Sequence, residues 1–405
     1  MTALLILLSA LSSGCTGTKS QDYMPQNLSE NKILREIDEN ASSAINQTEN
    51  TNSPDKTESQ NETQSFEENG YNSLYPQLIA DKTKEDEYEK RTFTTKFQKS
   101  EYDVTFDVNM SVLNGAANAN KSLAFHIARE PEEVQVSYYK SFFEGPENDI
   151  FLNETLKKLR HIKIANSFSD EEYLEYLIAF VQQIPYDNYA QGTRFPVEVI
   201  YDKTGDCDEK SMLLIGLLEK SGYDVALILF PKQGHAVAGI RIIPGGDTNF
   251  RMYRSDDGRK YLFIEATSPS YIGLYPDEYE DANAVVIPIG ENGRSYNNYN
   301  YVAYIVGNKK KIENRILYFE KRLNEIYDEA VTLEEKLNNP QKYYNTQEEY
   351  DSDYLKYSGL ANEFREIHEY YLKNIEVYEY IVNYPYDVEG VRRTIYNSKV
   401  NDIEY

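Results

Sequence analysis

Three residues of this chain carry the side chains that thiol chemistry needs, at positions where folding can bring them together: Cys207, His235 and Glu265. A cysteine is a useful nucleophile only as thiolate. Cys207 falls at the start of an apolar helical run, where unpaired N–H groups and the partial positive charge of a helix terminus favour an anion. His235 opens an apolar, alternating stretch, and Glu265 closes the next one. An imidazole beside the sulfur takes and returns a proton, and a carboxylate orients the ring and supports its charged form. Each residue alone has a plainer reading. Cys207 suits a buried small apolar site, His235 a satisfied strand histidine, and Glu265 a strand-end carboxylate holding the next turn at Thr267 or Ser268. Asp206, Asp208 and Glu209 crowd Cys207 with negative charge, which opposes thiolate formation. Gln182 and Tyr186, upstream of the cysteine, are candidates for lining an oxyanion hole. His126 and His161 have no chemical neighbours in the sequence. No metal-ligand spacing, phosphate loop or dinucleotide fingerprint is present, so no metal or cofactor is expected.

The elements that must position these residues follow from local patterns. Asp206 with Glu209 makes a capping box, and Met212 to Leu218 is apolar around most of the circumference, so this helix is central and buried. Gly222 sits where a left-handed closing residue belongs. Strands are expected at Val225–Phe230, His235–Ile243 and Lys260–Glu265, the last two neighbouring and antiparallel across a Gly- and Asp-containing turn region. Upstream, Ser169 and Glu172 box a helix that ends at Pro185, a helix is expected around Asn153–His161, and Phe97–Val112 alternates like a strand. Downstream, Ile312, Ile316, Phe319, Leu323, Ile326, Ala330, Leu333 and Leu337 recur at spacings of four and three. Asn338-Asn-Pro340 breaks the run. Tyr350, Tyr354, Tyr357, Ala361, Phe364, His368, Tyr371, Ile375, Tyr378 and Val382 then repeat the spacing as far as Pro385. That pattern predicts two long helices folded as an antiparallel hairpin, which pairs with itself, with the α/β part or with a second copy.

The stretch from about residue 150 to 290 resembles the transglutaminase-like superfamily, whose fold is related to papain-type proteases. The resemblance rests on Phe195-Pro-Val-Glu-Val-Ile, Gly205-Asp-Cys-Asp-Glu-Lys-Ser, Leu217-Leu-Glu-Lys-Ser-Gly-Tyr-Asp-Val-Ala, Gly234-His-Ala-Val-Ala-Gly and Tyr261-Leu-Phe-Ile-Glu-Ala-Thr-Ser-Pro. It implies an α+β fold with a central helix on an antiparallel sheet. It also implies Cys207 as nucleophile, His235 as general base and acid, and Glu265 as orienting carboxylate, where the family usually has Asp. Glutamate is one methylene longer and still reaches a ring N–H. The activity implied is an attack on amide bonds through an acyl-thioenzyme, giving a peptidase, amidase or transamidase with a protein or peptide substrate. Some lineages of the superfamily have lost activity, which leaves a surface binding or scaffolding module as the alternative.

The rest of the chain bounds where this happens. Thr2–Ser13 is a short apolar run, too short to span a bilayer as a mature helix, and it ends in Leu11-Ser-Ser-Gly-Cys15. That looks like a lipoprotein signal over residues 1–15, with Cys15 the lipidated first residue and the protein exported to the outer face of the membrane. Cys15 and Cys207 are the two cysteines of the chain, so lipidation leaves Cys207 a free thiol outside the cytoplasm. A Cys15–Cys207 disulfide is the competing arrangement. Residues 16–90, rich in Asn, Ser, Thr, Gln and Glu, read as a disordered polar tether. Its acceptor sequons at Asn27, Asn40, Asn46 and Asn61, and those at Asn109, Asn120 and Asn153, can be glycosylated in an exported protein. The expected organisation continues with the α+β domain over 91–305, the helical hairpin over 306–385 and a tail over 386–405. In 405 residues, 40% hydrophobic and 27% charged, there is material for a sizeable core. A formal net charge of -25 repels nucleic acid and keeps the protein soluble. The 37 tyrosines and the absence of tryptophan point to many half-buried rings with polar tips.

Overall fold

In a computed structural model of the 405-residue chain, the helix that begins at Cys207 packs against the strands that follow it and the helices that precede it. The structure describes residues 75–122, 130–187, 192–232, 235–244, 250–274, 283–290 and 293–400. The signal, Cys15 and most of the tether lie outside the described residues.

Helix α6 (Cys207–Lys220) starts in the expected capping box: Asp206 Oδ1 accepts from Glu209 N at 2.9 Å, and Glu209 Oε2 accepts from Asp206 N at 2.9 Å. Such a box satisfies two of the helix's four otherwise orphaned N–H groups. It ends with Gly222 at φ +85°, where the N–H groups of Gly222 and Tyr223 reach Glu219 O and Leu218 O, the Schellman arrangement that glycine permits. Every residue from Glu209 to Leu218 is buried. Gly216 matters here: a Cβ at that position would stand 2.7 Å from a methyl of Leu152. The missing Cβ leaves room for the Leu152 side chain of helix α3 (Pro146–Ala165) to pack this closely. The other helices before it are α1 (Met110–Asn118), α2 (Glu132–Lys140), α4 (Asp170–Gln182), which carries the expected Ser169–Glu172 box, and α5 (Pro196–Asp202).

Two antiparallel sheets are present among the described residues. Strands β1 (Tyr88–Phe97) and β2 (Ser100–Asn109) form a hairpin. Five further strands run in the order β5-β6-β4-β3-β7: β3 (Val225–Phe230), β4 (His235–Ile242), β5 (Tyr253–Arg254), β6 (Lys260–Ile264) and β7 (Val285–Ile289). All neighbours in this sheet are antiparallel. β3 is buried on both faces. Val225, Leu227 and Leu229 join the large core that includes α6, while Ala226, Ile228 and Phe230 join a second cluster with Val237, Tyr253, Tyr261 and Phe263. This is the period of two, with apolar residues on both sides. Pro288 falls on the edge strand β7, where a missing N–H costs the ladder least.

The long helices α7 (Tyr299–Asn338) and α9 (Gln347–Asn383) are joined through the single turn α8 (Pro340–Tyr343). The ion pairs Arg322–Glu363, Lys356–Glu329 and Lys336–Asp353 descend one helix as they ascend the other, so the pair is antiparallel. The expected stripe of α7 is buried at Ile312, Phe319, Leu323, Ile326, Ala330 and Leu333. On α9 the stripe drifts. Tyr354 and Val382 are exposed, while Leu360, Asn374, Val377 and Ile381 are buried in addition to Ala361, Phe364 and Tyr378. A straight helix of 3.6 residues per turn slips past a strict seven-residue repeat in this way.

Two expected boundaries move. The tether expected over residues 16–90 ends earlier: a 3₁₀ turn at Lys82–Lys84 and the strand from Tyr88 precede residue 90, and Asp81 N donates to Ser111 O at 2.9 Å. The expected tail contains α10 (Val388–Ser398), whose Val388, Val391 and Ile395 are buried. Both segments are polar in composition, and their few apolar residues take effect only against surfaces made elsewhere in the chain. The chain is thus α+β, with an antiparallel sheet and C-terminal helices. No helix among the described residues is long and apolar enough to cross a membrane.

Candidate active site

The N-terminus of α6 is fastened to the start of β4 by one side chain. Asp208 Oδ1 accepts from Ala236 N at 3.1 Å, and Asp208 Oδ2 accepts from the Tyr139 hydroxyl of α2 at 3.0 Å. This sets Cys207, at the first position of the helix, beside His235, at the first position of the strand. Cys207 Sγ lies 3.3 Å from His235 Nδ1. The same Nδ1 lies 3.1 Å from Asp208 Oδ1, and the sulfur is 3.8 Å from that oxygen. Cys207 is a free thiol and half-buried.

Charge sets the behaviour of the two reactive groups. Burial pushes the Cys207 thiol well above its ordinary range, and Asp208 and Asp206 push it further; the backbone N–H of Asp208, donating to the sulfur, pulls the other way. Burial alone would lower the His235 imidazole, but its hydrogen bond to Asp208 and the charges of Asp208, Glu265 and Asp206 outweigh it, so the ring sits above its ordinary value. Asp206 is itself driven up, by burial and then by Glu209 and Asp208. Glu209 is fully buried against Arg194, whose Nη2 is 2.8 Å away and whose backbone N–H donates to the same carboxylate. That pair offsets part of the charge of Glu209.

Of the three residues expected to form a triad, two meet directly. Glu265 acts on His235 as a nearby charge. Its Oε1 accepts from the backbone N–H of Thr267 at 2.7 Å and from the Thr267 hydroxyl, the turn-holding role also open from the sequence. Gln182 is a correction. Its Nε2 donates to Glu265 O at 2.7 Å and Ser270 O at 3.1 Å, so both amide hydrogens brace the loop after β6, and none is left for an oxyanion. Tyr186 is exposed, and its backbone bridges to Gly205, two residues before the sulfur. His368 stacks between Phe364 and Tyr371 in the hairpin stripe, and burial lowers its imidazole.

Two contributors were not anticipated. In the sequence Asp208 reads only as an unfavourable charge; its pairing with His235 depends on the docking of the head of α6 against the start of β4. Lys210, one turn into α6, is fully buried. Its ammonium donates to Gln182 O (3.2 Å), Ile184 O (2.6 Å) and Thr267 O (3.3 Å). It ties the end of α4 and the Glu265 loop to the helix of the cysteine. Burial lowers it to about 8, against the opposing charges of Glu265 and Cys207. A lysine just ahead of the apolar run Met212–Leu218 is the signal that the sequence offers.

No family model, curated protein or solved structure matches the chain. The candidate site therefore rests on its own geometry.

Proposed function

We propose that this protein is a cysteine-dependent acyl-transfer enzyme of the transglutaminase-like kind, acting on amide bonds of a protein or peptide. The observation that supports it is the 3.3 Å approach of Cys207 Sγ to His235 Nδ1 at the mouth of a buried helix, within reach for direct proton transfer. In the forward step, Sγ attacks the carbonyl carbon while Nδ1 takes the thiol proton. Charge gathers on the carbonyl oxygen near the positive end of α6. The imidazolium, held by Asp208 and by the charge of Glu265, returns the proton to the amide nitrogen. The C–N bond breaks, the amine leaves and a thioester remains. Water or a second amine then attacks the thioester with His235 again as base, and the thiol is restored.

The lipoprotein-like start supports placing this chemistry on the outer face of a membrane, with residue Cys15 as the anchor. The polar tether would then set the site at a distance from the lipid surface.

A second reading, a binding or scaffolding module without activity, draws on two observations: burial and acid crowding oppose the thiolate, and Thr267 occupies one oxygen of Glu265. Iodoacetamide labelling of Cys207 across pH, in the intact protein and in His235→Ala, separates the two. The enzyme requires fast labelling that is coupled to His235 and lost in the variant. Equal and slow labelling of both proteins would sink it.

A further inference from the structure

The carboxylate that crowds the sulfur suggests a second kind of ligand for the same three side chains. Sγ of Cys207, Nδ1 of His235 and Oδ1 of Asp208 form a triangle with edges of 3.3, 3.1 and 3.8 Å. A tetrahedral zinc ion with bonds of about 2.3 Å to sulfur and about 2.0–2.2 Å to nitrogen and oxygen needs ligand-to-ligand edges of about 3.4 Å (N–O) and about 3.6 Å (S–N and S–O). Each edge of the triangle is within about 0.3 Å of that requirement. These three atoms also form a potential metal-ligating group by mutual distance.

We propose that this triangle is one face of a divalent zinc site, and that zinc occupancy reversibly shuts off the thiol. Charge favours the ion: one thiolate and one carboxylate balance its two positive charges, with a neutral imidazole as third ligand. Binding at neutral pH therefore releases the thiol proton to solvent as the S–Zn bond forms. A thiolate with an imidazole selects zinc over the oxygen-seeking magnesium and calcium. The surroundings are already set for a ligand role. Asp208 is oriented by Tyr139 on one oxygen and by Ala236 N on the other, the kind of outer-shell support that metal carboxylates depend on. With three protein ligands, the fourth position is left to water. The sulfur's lone pairs are then on the metal, so the nucleophile is lost. The linear spacing conceals this set, because the histidine comes 28 residues after the cysteine.

The binding claim stands on geometry alone, whereas its inhibitory meaning rests on the enzymatic reading above. The test uses tag-free full-length protein stripped with a chelator. Zinc chloride is titrated by calorimetry and by competition with a chromogenic chelator, and Cys207 alkylation is followed in parallel. The expected result is one zinc per chain, alkylation of Cys207 slowed at least tenfold, and recovery on adding the chelator. Magnesium chloride should have no effect. His235→Ala and Asp208→Ala should each weaken zinc binding at least tenfold, with circular dichroism showing that the fold is kept. Undetectable binding at micromolar zinc overturns the proposal. So does binding that neither substitution weakens, which would place the ion on the acidic surface. A protein that binds zinc as described but cleaves or transfers no amide retains this site and loses the proposed function. One that turns over amides without inhibition by zinc does the reverse.

Discussion

Replacing Asp208 by asparagine tests the electrostatic logic of the site most directly. One oxygen of this carboxylate lies 3.1 Å from His235 Nδ1 and 3.8 Å from Cys207 Sγ. At an effective dielectric constant of about 20, its charge favours the imidazolium by about 5 kcal/mol and disfavours the thiolate by about 4 kcal/mol. The two effects nearly cancel for the internal proton transfer from sulfur to nitrogen, leaving about 1 kcal/mol, or roughly fivefold, in favour of the ion pair. They do not cancel for the pair's exchange of protons with solvent, because a negative charge raises both groups together. Asp208→Asn keeps a carbonyl oxygen for the N–H of Ala236 and removes the charge. The expected result is a rising limb of the pH–rate profile that moves to lower pH, with a plateau changed by no more than about tenfold. The assay is second-order alkylation of Cys207 by iodoacetamide between pH 4 and pH 10, with chelator present and intact mass as the readout. A limb that stays in place, or moves upward, would refute the electrostatic coupling. A plateau that collapses by more than about a hundredfold in a folded variant would show that Asp208 works by holding the ring in place.

Two further outcomes follow from buried groups. Glu175 on α4 is buried, and its Oε1 accepts from Tyr296 Oη at 2.9 Å and Asn298 Nδ2 at 3.0 Å, tying α4 to the segment that enters α7. Burial raises its carboxyl from 4.5 to about 7. The folded state therefore holds an extra proton between those values, and its contribution to stability is present below pH 4.5 and lost as pH rises through about 7. Glu175→Gln should match the parent near pH 4.5 and exceed it by up to about 3 kcal/mol at pH 8 in urea titrations; equal stability at both pH values would show that the carboxylate is relaxed by solvent. Gly216→Ala, favoured by helix propensity, should instead destabilise by about 1–3 kcal/mol, read as a lower Tm, because its methyl meets Leu152 at 2.7 Å. An unchanged or raised Tm would show that α3 yields.

What the sequence by itself determined was much of what depends on neighbours along the chain, although the stretch Phe97–Val112, expected as a strand, is divided by a turn at Gln98 between β1 and β2 and ends in α1. The two capping boxes, the closing Gly222, the strands at Val225, His235 and Lys260, and the existence of two long helices are short-range matters of side-chain period and backbone hydrogen bonds, whereas the partner of those helices was left open. The residues at the ends of those elements are legible too, Cys207 and His235 among them. The sequence did not show the edge strand β7, the helix α10 or the ordered start before residue 90, since their weak apolar patterns are completed by surfaces supplied from distant segments. From the sequence, Glu265 is the expected orienting carboxylate and Asp208 only a crowding charge. Asp208 and Glu265 both bear on the ring, but only the docking of α6 on β4 puts an Asp208 oxygen 3.1 Å from Nδ1, while Thr267 takes up Oε1 of Glu265. Coulomb forces depend on distance in space, not on separation along the chain, so the partner of the histidine was decided by tertiary structure alone.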